Sequence, residues 1–136
     1  MPNISLQEVK RMIDIENSLM EIKNNGMQIN NDNSIEILNL VIDYIGELDI
    51  KDMEYIEIAI KLPFREIKMY YDAYKSKQDK ITETQFIEYL MKTYNIEKHY
   101  IIKRIDQVKR IKNVEAKELY HKVNIEENTK GGKQKW

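Results

Sequence analysis

The chain has no cysteine, and with it go disulfides, thiolate zinc sites and cysteine nucleophiles. That agrees with a reducing compartment. Proline occurs twice and glycine four times in 136 residues, so helices joined by short turns are favoured over a many-stranded sheet. No apolar run approaches the roughly 20 residues that cross a bilayer. The segment MPNISLQEVKRM lacks the charged-then-apolar order of a secretory signal, so a cytoplasmic protein without a membrane span is expected. A Gly-rich phosphate loop is missing as well, since Gly131-Gly132 falls in a polar stretch with no strand before it.

What is present is a strong division of charge beneath a net charge of -1. Residues 1–60 hold Lys10, Arg11, Lys23 and Lys51 against twelve acids, 4 - 12 = -8, and the remainder carries 18 - 11 = +7. A basic half suggests a polyanion or an acidic protein as partner. The acidic half could cover that basic surface within the molecule, bind a basic partner, or serve solubility alone.

Apolar periodicity then divides the chain into helices. Ser5-x-x-Glu8 has capping-box spacing, and Leu6, Val9, Met12, Ile13, Leu19 and Met20 recur at helical intervals, predicting a first helix over 5–24 that stops at Asn24-Asn25-Gly26. A very short strand at 27–29 is one reading of the next segment. Asn31 to Ser34 offer N-caps for a helix bearing Ile35, Leu38, Val41, Ile42 and Ile45, whose exposed remainder could serve a homodimer. Asp49 to Asp52 restart a helix that must end at Leu62-Pro63, because proline has no N–H to give to a helix interior. A fourth helix carries Phe64, Ile67, Tyr70, Tyr71 and Tyr74 as far as the polar run 75–80.

Thr82-x-x-Gln85 opens a further helix with Phe86, Ile87, Leu90 and Met91 on one side, and another begins near Glu97 with Ile101, Ile102, Ile105, Val108 and Ile111. Between them Tyr94-Asn95-Ile96 meets the needs of a helix-turn-helix, in which the tight turn takes a residue tolerant of left-handed angles. A last helix around Val114, Leu119, Tyr120 and Val123 is expected to pack back, followed by a loose polar tail over 126–136. The predicted architecture is all-α: a single helical domain over 1–125 of six or seven helices, acidic over 1–60 and basic over 61–125.

Residues 97–112 hold six cations, Lys98, Lys103, Arg104, Lys109, Arg110 and Lys112, against Glu97 and Asp106. In a DNA-binding helix-turn-helix the second helix presents side chains to the major groove near its N-terminus and flanks them with phosphate-binding cations. Lys98, His99, Lys103 and Arg104 take the groove or its rim in this reading, although Arg104 could instead brace the hairpin; Lys109, Arg110 and Lys112 hold the backbone. The bland alternative is a solvated basic face. Six tyrosines, Tyr70, Tyr71, Tyr74, Tyr89, Tyr94 and Tyr100, cluster in the same half, where aromatics among cations could stack on unpaired bases. Their helical spacing favours core packing.

The order Leu62-Pro63, helix, polar spacer and FIEYLMKTYNIEKHYIIKRI resembles the C-terminal part of ImmA/IrrE-type proteins of phages and integrative elements. A family pattern like F-x-V-S-x-x-x-V-x-x-R-L is matched by Tyr94, Ile96, Ile101, Arg104 and Ile105, and the resemblance covers roughly residues 53 to 111. Met91 departs from it, standing where such hairpins prefer a small residue. A deeper departure concerns catalysis. Zincins need H-E-x-x-H, two imidazoles one turn apart with a glutamate between them, whereas this chain has only His99 and His121 and reads ILNLVIDYIGEL where that helix is expected. Protease activity therefore does not carry over, and no metal, cofactor or enzymatic activity is expected. Acid pairs such as Asp49 and Asp52, or Glu54 and Glu57, stand where helix starts attract carboxylates. The sequence points to DNA binding in control of transcription or element maintenance. An interaction protein that engages a host or phage complex through its acidic half is the rival.

Overall fold

The structure, a computed structural model, describes residues 6–77 and 80–130, with 116–130 described by their backbone. Among the described residues six α-helices follow one another: α1 Leu6–Asn24, α2 Ser34–Ile45, α3 Ile50–Lys61, α4 Phe64–Ser76, α5 Glu83–Tyr94 and α6 Lys98–Lys130. No strand occurs among the described residues, so the predicted all-α class holds and the short strand at 27–29 does not form. That segment is pinned differently. Gln28 accepts from the Asn33 side chain through its carbonyl at 2.8 Å, and Asn30 caps a single 3-10 turn, Asn31–Asn33, by accepting from the N–H groups of Asp32 and Asn33.

Local chemistry sets most helix ends. Asp49 and Asp52 exchange side-chain-to-backbone bonds in a capping box at the start of α3, and Thr82 and Gln85 do the same for α5. Pro63 starts α4 after the chain turns at Leu62. Asn95 is left-handed at φ 52°, and its own N–H together with that of Ile96 returns to the Met91 carbonyl, closing α5. The N-cap predicted at Ser5 lies outside the described residues.

Two apolar clusters share one pair of helices. In the first, α1 and α2 close over Ile56 and Ile60 of α3 and Ile111 of α6; in the second, Ile67 of α4 and Phe86 and Leu90 of α5 pack on Ile58, Leu62, Ile101 and Val108. Thus α3 and α6 contribute to both, and each fully buried Ile or Leu among them contributes roughly 2 kcal/mol of transfer free energy. One prediction fails at the C-terminus. Instead of breaking near Val114 and packing back, α6 runs unbroken to Lys130, through part of the segment read as a loose tail. Its 33 residues contain no Gly or Pro to end it. Residues 131–136 of that tail lie outside the described residues.

Candidate nucleic-acid interface

At 100° per residue, Lys98, His99, Lys103, Lys109 and Arg110 fall within an arc of about 140° on α6. Lys98, His99, Lys103 and Lys109 are exposed and Arg110 is half-buried, so these groups line one solvent side over about 18 Å of helix rise. Ile102, Asp106 and Asn113 share the arc, with Ile102 at 46% exposure despite its place in the expected apolar stripe. The core side of the helix, Ile101, Val108 and Ile111, lies across the axis against α1, α3, α4 and α5.

Three of the predicted contact residues are engaged within the protein. Arg110 donates to Asp106 one turn earlier at 2.9 Å, a half-exposed pair on the helix surface of the kind that contributes little. Lys112 is turned toward α4, where it is paired with Asp72 and stands 5.4 Å from the Tyr71 ring centroid, off the solvent arc. It is thereby corrected from phosphate contact to a link between α6 and α4.

Arg104 is the clearer correction. Its side chain is fully buried, so it cannot face a groove or its rim. Its Nη1 lies 2.8 Å from a Glu16 carboxylate oxygen and 3.1 Å from the Tyr55 hydroxyl and Gln107, while its Nε donates to the Leu62 carbonyl at 2.8 Å. Tyr55 donates a hydrogen bond to the same Glu16 oxygen. Burial alone would lower the guanidinium pKa, but Glu16 and the Tyr55 hydroxyl outweigh it and raise the value; burial pushes the Tyr55 phenol well up, reinforced by Glu16. Arg104 therefore acts as an internal brace between the acidic and basic halves. The signal was present in the sequence, because Ile101, Arg104, Val108 and Ile111 are spaced 3, 4 and 3, which puts the arginine in the core register.

The remaining cations are free of internal duties. Among the described residues, none forms an ion pair with Lys98, Lys103 or Lys109, while His99 lies 3.8 Å from the exposed Glu97 and its ring centroid 4.1 Å from that of Tyr100. Among the described residues, the acidic half does not lie over this arc. It meets α6 on the opposite side, with Glu16 of α1 taking up Arg104. No group of three or more His, Asp or Glu that could hold a metal ion occurs among the described residues.

No protein-family model, curated protein or solved structure matches this chain.

Proposed function

We propose that this protein binds DNA through the solvent arc of α6, as a non-enzymatic regulator of transcription or of the maintenance of a phage or mobile element. In this reading α5, the turn at Asn95 and α6 form the helix-turn-helix. Lys98, His99 and Lys103 approach the groove, while Lys109 and Arg110 contact phosphates. One observation carries it: five cationic or ionisable side chains share the solvent side of α6, and α1 and α3 of the acidic half pack against the other side. Clustered cations left in solvent gain affinity for a polyanion by releasing its counterions. Anisotropy of a labelled random-sequence duplex across a salt series tests the reading. Binding at micromolar protein or tighter that weakens steeply with salt is expected, and no binding at low salt overturns it.

The second reading is a protein partner for the acidic half, or a homodimer through the same surface. Ile35 is 74% and Ile42 41% exposed on one side of α2, and residues 24–50 contain Asp32, Glu36, Asp43, Glu47 and Asp49 without a single Lys or Arg. Exposed apolar groups among charges of one sign mark contact surfaces. Loss of a captured partner on Ile35→Asp, in a protein that ignores duplex DNA, favours this reading.

A further inference from the structure

An open groove of about 590 Å³ runs between the C-terminal half of α4 and α5, with no described side chain of α6 in its lining. Four aromatic rings form its walls. Tyr74 and Phe86 are stacked with centroids 4.5 Å apart and planes 5° from parallel, while Tyr70 and Tyr89 meet edge to face at 5.6 Å. Tyr89 remains 53% exposed, so much of this ring is left in solvent. Lys77, Lys80 and Lys92 also line the groove, against the single carboxylate of Glu88 among the described lining residues. None of the three lysines forms an ion pair with a described residue.

These groups discriminate between occupants. Both walls are helices whose backbone N–H and C=O groups are bonded internally, so an extended peptide finds no edge with which to pair. Aliphatic lining is limited to Ile81 and Ala73, a poor match for the aliphatic anchors of a docking helix. Ring faces, phenol hydroxyls, the Gln85 amide and ammonium groups remain. That set can stack a planar base, hydrogen-bond its edge and neutralise the phosphates beside it.

We propose that this groove receives an unpaired base of single-stranded DNA, stacked on Tyr89, with the adjoining phosphates held by Lys77, Lys80 and Lys92. The inference rests on the DNA-binding reading for the identity of the polymer, but it uses none of the cations of α6. The protein would then contact DNA through two surfaces, one for duplex backbone and one for a base outside the stack.

The test is fluorescence anisotropy of the full chain with three labelled probes: oligo(dT) of about eight nucleotides, an abasic strand of equal length, and the matched duplex. Oligo(dT) is expected to bind more tightly than the abasic strand. Tyr89→Ala should weaken oligo(dT) about tenfold, the worth of one base–aromatic stack, and bring it to the abasic level. The same variant should leave duplex affinity unchanged, and Tyr89→Trp should retain oligo(dT) binding. Circular dichroism verifies that each variant is folded. Equal affinity of the wild type for the oligo(dT) and abasic strands overturns the proposal, as does a Tyr89→Ala loss that is the same on all three probes. Tighter binding of an acidic, Phe-containing peptide at the same site also overturns it. The two readings fail separately: duplex binding without base preference removes the groove, whereas base-dependent oligo(dT) binding without duplex binding removes α6. Absence of all binding removes both.

Discussion

Arg104 of α6 and Glu16 of α1 meet at 2.8 Å inside the protein, 88 residues apart in sequence, with the arginine wholly buried and the glutamate side chain 14% exposed. The Leu62 carbonyl, left without an intrahelical donor where α3 gives way to Pro63, is satisfied by the same guanidinium. One side chain thus closes an ion pair and caps a helix end. Removing either partner should have unequal effects. Glu16→Ala leaves a buried cation uncompensated and is expected to lower stability by about 3–5 kcal/mol. Arg104→Met leaves a carboxylate that still touches solvent and Tyr55, and should cost less. Urea midpoints of the two variants at equal m-values check the order.

Asp52 provides a pH-dependent contribution. Burial would raise its pKa, but bonds from Arg11 at 2.9 and 3.2 Å and from the Asp49 N–H hold its carboxyl below the ordinary 3.8. A carboxyl whose folded pKa is depressed stabilises the fold above its unfolded pKa, and that contribution is lost as pH falls through the folded value. Asp52→Asn keeps an acceptor for the cap and removes the charge. It should cost about 1 kcal/mol at pH 7 and progressively less below about pH 4. A cost that stays constant from pH 7 to pH 3 contradicts this.

Asn95 holds the turn between α5 and α6 at φ 52° and ψ 55°. A β-branched residue meets its own carbonyl there, so Asn95→Val should lose about 1–2 kcal/mol, while Asn95→Gly should stay within a few tenths. Thermal midpoints distinguish the two substitutions.

On the solvent arc, Lys103→Ala combined with Lys109→Ala should leave stability within about 0.5 kcal/mol. Duplex affinity should fall on every sequence, and the slope of log K against log salt should flatten by about 0.9 for each phosphate that is no longer neutralised. An unchanged slope removes these two residues from the interface.

Local features were legible because their causes are local. The helix start at Asp49–Asp52, the capping box at Thr82–Gln85, the stop at Pro63 and the left-handed Asn95 each depend on residues within four positions. For Arg104 the core register was legible in the spacing, but its partners were not. Counting charge along 97–112 added it to a basic surface, whereas its burial depends on Glu16, Tyr55 and Leu62, contributed by distant segments. Ile102 is the converse, an apolar residue assigned to the core that the helix turns outward. The groove escaped notice for a similar reason. Its rings come from two helices, and helical spacing alone marked them as core, although only their meeting leaves Tyr89 uncovered.

The opposed packing around α6 has a consequence for approach. With α1 and α3 of the acidic half packed against one side of that helix and its exposed lysines on the other, charge of the two signs is set apart across α6 rather than dispersed. In the field of a polyanion such a molecule experiences a torque before it touches anything, and it arrives lysines first with its carboxylates trailing. A near-zero net charge would keep long-range attraction small, so orientation rather than capture would be the main electrostatic effect on encounter.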